Sequence, residues 1–80
     1  MKLTQSVLIR FGNVIRQERE RQGLSQEKLA ELADVHRTYI GMIERAEKNI
    51  TLANIEKFAK GLNKPMSYLI KKVEAGSKKA

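Results

Sequence analysis

Eighty residues hold one domain with one modest core, because a chain this short buries only about 60% of the surface that its unfolded form exposes. There is little room for an enclosed catalytic cleft. The absence of cysteine rules out disulfides and thiolate-bound zinc, so stability has to come from helix packing and dimerisation, and a reducing cytoplasm is the expected location. Sixteen Lys and Arg against nine Asp and Glu leave a formal charge of +7, which makes a polyanion the first partner to consider, although charge alone serves solubility equally well.

Apolar residues recur at three- and four-residue intervals in short blocks punctuated by Gly, Asn, Ser or Pro, a pattern of helices without β-type alternation. The expected fold is all-α: five helices in one unit, with residues 1–3 as a short arm, 4–74 as the domain and 75–80 as a loose basic tail. The first helix runs from Thr4 to Arg21 with Leu8, Phe11, Val14 and Ile15 on its inner side. The first ten residues hold only the short apolar patch Val7, Leu8 and Ile9, far short of the roughly 18 to 20 residues of a membrane span. Neither a signal peptide nor a transmembrane helix is expected. Gly23 suits a left-handed helix end.

Ser25 suits the N-cap of a second helix, Gln26 to Ala33, with Leu29, Ala30 and Ala33 facing inward. Asp34 and Val35 make a tight turn, His36 follows, and a third helix spans Arg37 to Glu44 or Arg45. Thr51 caps a fourth helix from Leu52 to Leu62, whose inner stripe is Leu52, Ile55, Phe58, Ala59 and Leu62. Pro65 fits the first turn of a fifth helix, where a missing N–H costs nothing. That helix carries Met66, Tyr68, Leu69, Ile70 and Val73, more apolar surface than one small core requires, and is the expected dimer interface.

Helices two and three, joined by so short a turn, have the spacing of a DNA-binding helix-turn-helix. At about 100° per residue, Ile40 and Ile43 of the third helix point inward with Tyr39 at their margin. Arg37, Thr38, Gly41, Met42 and Arg45 point outward. Arg pairs bidentately with guanine, and the Thr methyl meets the thymine methyl, so Arg37 and Thr38 suit base reading. Glycine inside a helix costs roughly 1 kcal/mol against alanine. At Gly41 it points either to close backbone approach by a ligand or to crowding by a neighbouring element.

The run Gly23-Leu24-Ser25-Gln26-Glu27-Lys28-Leu29-Ala30, then Val35, Tyr39-Ile40 and Ile43-Glu44-Arg45, resembles the helix-turn-helix family of lambdoid phage repressors. His36-Arg37-Thr38-Tyr39-Ile40 and Asn49-Ile50-Thr51-Leu52 are similar in particular to the controller proteins of restriction–modification systems. Those are small dimers that regulate their own gene and the endonuclease gene. The resemblance implies that Gln26 braces a DNA phosphate and that Arg37, Thr38 and Tyr39 read bases. It also implies that Arg45, Lys48, Asn49 and Thr51 follow the backbone, and that Arg19 and Glu44 form a buried structural ion pair. His36 takes a helix-boundary or phosphate-contact role. Ala46 departs from the pattern, since many relatives have glycine there: either the third helix continues through it or the turn is built differently.

These readings converge on a transcription regulator that binds double-stranded, pseudo-palindromic DNA as a homodimer, with RNA polymerase as a further candidate partner. Other uses of the fold are phage-type or antitoxin-type repression and protein-binding adaptors. An adaptor face should carry an apolar anchor cluster, whereas Arg37, Thr38 and Arg45 dominate here. RNA is disfavoured because a helix does not fit the A-form major groove. His36, the only histidine, has no cysteine beside which to bind zinc. Glu18, Glu20, Glu27, Glu31 and Glu47 fall on expected solvent faces, and no glycine-rich phosphate loop occurs. No enzyme activity, metal or cofactor is expected.

Overall fold

The computed structural model describes residues 2–77, with side chains from residue 6 to residue 76. Five helices and no strand make up the described residues: α1 Lys2–Arg21, α2 Gln26–Ala33, α3 Arg37–Glu44, α4 Leu52–Gly61 and α5 Met66–Ser77. Three of them open on a side-chain cap. The Ser25 hydroxyl accepts from the Lys28 N–H at 2.9 Å, His36 Nδ1 from the Thr38 N–H at 3.1 Å, and the Thr51 hydroxyl from the Asn54 N–H at 3.1 Å. Each satisfies a donor that the first helical turn leaves without a partner.

The first four helices all close by one device. An N–H beyond the helix end donates back five residues, Leu24 to Arg19 at 3.0 Å, Val35 to Ala30 at 3.0 Å, Glu47 to Met42 at 2.8 Å and Lys64 to Ala59 at 2.9 Å. Each bond needs one left-handed residue before it. Those residues are Gly23 (φ 73°), Asp34 (φ 59°), Ala46 (φ 58°) and Asn63 (φ 57°).

The expected bounds of α2 and α3 match the structure, and the others shift at their ends. Helix α1 starts at Lys2 rather than Thr4, so Lys2 and Leu3 are helical instead of forming an arm; Met1 lies outside the described residues. Pro65 stands just before α5 and accepts from the Tyr68 N–H at 3.0 Å, a capping position rather than a place in the first turn. Residues 75–77, expected in a loose tail, form the last turn of α5; residues 78–80 lie outside the described residues.

The core forms where α1 packs on α3 and α5, and α2 on α3 and α4. Phe58 of α4 lies at its centre, fully buried, with its ring stacked on Phe11 at 6.2 Å between centroids and tilted against Tyr39 at 5.9 Å. Val14, Ile15, Leu29, Ala30, Ala33, Ile40, Ile43, Ala59 and Leu62 enclose it. Gly12 lets α1 and α3 approach: a Cβ there would lie 2.5 Å from the Ile43 carbonyl oxygen and 2.9 Å from that of Glu44. Both obstacles are backbone, so no side chain could move aside.

Three inner or outer assignments are corrected. Leu52 is 71% exposed, because the helical turn carries it to the margin of the stripe that Ile55 and Leu62 define, at the very end of α4. Leu69 and Val73 belong to the core of the single chain, with exposures of 0% and 7%, and are not free for an interface. Glu18, expected on a solvent face, is buried and takes a hydrogen bond from Gln22 Nε2 at 2.8 Å and one from the Tyr68 hydroxyl at 3.0 Å. It is also paired with the Arg21 guanidinium. Gln22 spans further, donating to the Leu62 carbonyl at 2.8 Å, so this carboxylate ties α1 to α5 and to the end of α4.

The Arg21 hydrogen bond, joined by those from Gln22 and Tyr68 and opposed by burial, holds Glu18 down from the usual 4.5 to about 2. A carboxylate whose folded value is depressed stabilises fully above its unfolded value and loses that contribution as pH falls through the folded one. Wild type should therefore exceed Glu18→Gln in stability by on the order of 2 kcal/mol at neutral pH. In urea unfolding at stepped pH, that difference should shrink between pH 4.5 and about 2. A difference that stays constant over this window would contradict the assignment.

Candidate nucleic-acid interface

The exposed face of α3 is built on a tightly held corner. Residues 34–36 join α2 to α3 through the left-handed Asp34, half-buried Val35 and the His36 cap. Behind the corner, Arg19 of α1 grips Glu44 at the end of α3 with two hydrogen bonds, Nε to Oε2 at 2.7 Å and Nη2 to Oε1 at 3.1 Å. The third guanidinium nitrogen, Nη1, donates to the Leu24 carbonyl at 2.8 Å, and Gln26 Nε2 donates to Glu44 Oε1 at 3.0 Å. One ion pair thus fastens α1, the α1–α2 link, the first residue of α2 and the end of α3. With side chains 11% and 4% exposed, the pair is desolvated, and removing either partner would cost about 3 to 5 kcal/mol.

From this corner α3 presents its first turn to solvent. Arg37 and Thr38 are exposed, and the Arg37 guanidinium lies 3.4 Å from the Glu27 carboxylate of α2. His36 uses Nδ1 as the capping acceptor, so in the neutral ring the proton sits on Nε2, which remains a donor. Thr51 is alike: its oxygen accepts from Asn54 in the cap, while its own proton stays available to donate. Lys48 and Asn49 stand exposed on the loop between α3 and α4. Gln26 is half-buried at the start of α2, with one amide hydrogen committed to Glu44.

Two assignments on this face change. Gly41 is buried, and the Arg45 side chain folds over it: a Cβ there would sit 3.0 Å from Nη1. The crowding is therefore local, from the flexible tip of a neighbour one turn on, and Gly41 offers no open backbone surface. Tyr39 is half-buried, with its ring against Phe58 and its hydroxyl accepting from Asn54 Nδ2 at 2.9 Å. It braces α3 against α4 and presents only a margin to the surface.

Sequence reasoning missed the two carboxylates that engage the exposed arginines. Glu47 takes both Arg45 Nε at 3.0 Å and Arg45 Nη2 at 3.2 Å, and Glu27 reaches Arg37 across the helix corner. No helical period relates residues on two helices, which is why Glu27 gave no signal. Arg45 is the C-cap of α3 (φ −93°), and the turn after it is the ordinary left-handed one with alanine in the place of glycine.

The helix-turn-helix family model matches residues 15–69, and the chain belongs to that family. Controller proteins are among its relatives. The chain is 48% identical over 61 residues to the control protein C.BamHI of Bacillus amyloliquefaciens, which covers 75% of each chain. It is similar in structure to the restriction–modification controller protein C.AhdI from Aeromonas hydrophila, with a TM-score of 0.76 and 42% identity over 78% of this chain and 94% of that one. It is similar also to C.Esp1396I bound to a 19 base pair DNA duplex, with a TM-score of 0.80 and 32% identity over 86% of this chain and 92% of that one.

A non-glycine residue in the left-handed region costs about 1 to 2 kcal/mol, partly offset by the unfolded-chain entropy that glycine adds. Unlike Asp34 and Asn63, Ala46 has no polar side chain suited to that conformation. Ala46→Gly should stabilise the fold by about 0.5 to 1 kcal/mol and raise the thermal midpoint by roughly 3 to 6 °C. Thermal unfolding followed by circular dichroism checks this, and an unchanged or lower midpoint would rule out strain at Ala46.

Proposed function

We propose that this chain is a sequence-specific double-stranded-DNA-binding transcription regulator, a controller protein that acts at its own gene and at an endonuclease gene. The observation that carries the reading is the first turn of α3, where exposed Arg37 and Thr38 stand on a corner held rigid by the buried Arg19–Glu44 pair. Laid in a major groove, that turn brings Arg37 to a guanine edge and the Thr38 methyl to a thymine. Gln26, His36, Lys48, Asn49, Thr51 and, once released from Glu47, Arg45 donate to flanking phosphates. Tyr39 contributes to base reading only through its exposed margin. The work of the face is recognition, not catalysis.

A single short helix reads few bases, so specificity calls for two copies with recognition helices about 34 Å apart on a pseudo-palindromic site. Once Leu69 and Val73 are assigned to the core, the large exposed apolar side chains among the described residues of α4 and α5 are Leu52 and Ile70. Ile55 and Met66 lie one turn from them, half-buried. This α4–α5 edge is the proposed two-fold interface, and it replaces the broader set read along the fifth helix.

The decisive titration compares the duplex upstream of the chain's own gene with a shuffled duplex by fluorescence anisotropy at near-physiological salt. A preference of about a thousandfold or more is expected, and equal weak binding would refute operator recognition there. Arg37→Ala should cost roughly 1 to 3 kcal/mol and relax base preference at one position per half-site, while Lys48→Ala should weaken all duplexes alike and flatten the salt dependence. Equal loss on specific and random DNA would remove Arg37 from base reading.

For the interface, Ile70→Glu should move the sedimentation profile from dimer to monomer with helical circular dichroism unchanged. A profile identical to wild type would exclude the α4–α5 edge.

A further inference from the structure

A groove of about 680 Å³ runs between α1 and α5, lined by Arg10, Asn13, Val14 and Gln17 on one side and by Tyr68, Lys71, Lys72 and Ala75 on the other. It lies away from the recognition face. Gly12 and Arg19 turn one side of α1 toward α3, and the helical period puts Arg10, Asn13 and Gln17 on the opposite side. None of the lining residues is acidic, and three of them are cations.

We infer that this groove is a docking surface for an acidic segment of a partner protein. The cations are strung along the groove rather than gathered at one point. Arg10 is fixed at one end, its Nε donating to the Val73 carbonyl at 3.2 Å and its Nη1 to the Ser6 hydroxyl at 2.9 Å. Lys72 lies over the Tyr68 ring at 5.3 Å, and Lys64 covers the same ring at 4.7 Å, which extends the positive stripe past the groove's far end. A compact anion would meet one cation at a time. An extended or helical chain carrying several carboxylates would meet them in succession, with Val14 and Ala75 flooring the space between.

The polar complement is also free. Among the described residues, the side chains of Asn13, Gln17 and Lys71 have no intramolecular partner, so their donors are available to backbone carbonyls and carboxylates. The nearby Glu18 does not compete, being buried and fully engaged by Arg21, Gln22 and Tyr68. The stretch of α5 from Tyr68 to Ala75 is about 10 Å long, the reach of roughly three residues of extended chain. That is too short and narrow a trough for a duplex, which needs a broad basic face. Because the groove and the recognition face lie on different sides, both partners can be held together.

The test titrates a short fluorescein-labelled Glu/Ala peptide into the full chain, with a Lys/Ala peptide as control, and maps the site by 15N–1H chemical-shift perturbation. Shifts are expected at Asn13, Gln17, Lys71, Lys72 and Ala75. Lys71→Glu/Lys72→Glu should weaken the peptide at least about tenfold while operator binding stays as in wild type. Lys28→Glu/Lys57→Glu, which changes net charge equally at exposed sites off the groove, should leave the peptide affinity within about twofold of wild type. Shifts confined to Arg37 through Asn49, or equal loss in both double variants, would overturn the proposal. So would tripolyphosphate or random duplex shifting the groove residues where the peptide does not. Failure of wild type to prefer its operator would strike the DNA reading and leave the peptide result standing.

Discussion

Everything on the recognition face depends on the Glu44 carboxylate. It sits at the C-terminal end of α3, where the helix dipole disfavours a negative charge, and it is almost wholly withdrawn from water. The bidentate guanidinium of Arg19, with the Gln26 amide beside it, makes that position tolerable, and Arg19 in turn spends its remaining nitrogen on the Leu24 carbonyl. The arrangement is expensive in desolvation, and a pair of well-packed apolar residues could match its stability. What apolar residues could not supply is direction: the planar fork fixes the end of α3 against α1, and the Gln26 amide fixes the start of α2 against the same oxygen. Orientation of α2 relative to α3 is what a helix-turn-helix must hold constant.

The helix ends serve the same purpose by other means. Helices of eight residues have little intrinsic stability, and α2 and α3 persist because each is capped at both ends and packed on one face. Four successive left-handed closures set the chain's direction at four corners. Gly23 meets the requirement without strain, and Asp34 and Asn63 are the side chains that best tolerate it otherwise. Ala46 is the exception, and it lies next to the loop that carries Lys48 and Asn49. The backbone bonds of Ala46 to Ile43 at 3.0 Å and of Glu47 to Met42 at 2.8 Å evidently outweigh the local cost.

Most of the fold was legible because capping and periodicity are local. Ser25, Thr51 and Gly23 marked ends that the structure places within a residue of expectation, and the 3.6 period found Phe11, Ile15, Leu29, Ile40 and Phe58. The same period, followed strictly, also runs through Val14 to Glu18. Its acidic character alone turned that residue outward in the sequence reading. The pairing that compensates it, with Tyr68 fifty positions away, is not written in local sequence. The glycine argument was sound in kind but applied to the wrong residue, since the mid-helix glycine that lets two helices touch is Gly12 and not Gly41. Part of the apolar surplus on the fifth helix proved to be core, because a core that draws on five helices needs Leu69 and Val73 to close it against α1.

The carboxylates beside the exposed arginines bear on how the proposed recognition discriminates. Arg37 and Glu27 are 65% and 72% exposed at the side chain and 3.4 Å apart, and a pair so open to water is worth well under about 1 kcal/mol. A bidentate contact with the right guanine discriminates by about 1 to 3 kcal/mol, so exchanging Glu27 for guanine is favourable. Against a wrong base that return is absent, and the small Glu27 pairing is given up without it. In the proposed mode of binding, the Glu27 carboxylate holds the free guanidinium at the helix corner and adds a small cost at sites that offer Arg37 no guanine. Among the described residues Lys48 has no such carboxylate partner, and in the proposed mode of binding it would meet phosphates whatever the base sequence. Affinity and selectivity would then fall to different residues of one surface, and the pair at the helix corner would separate them.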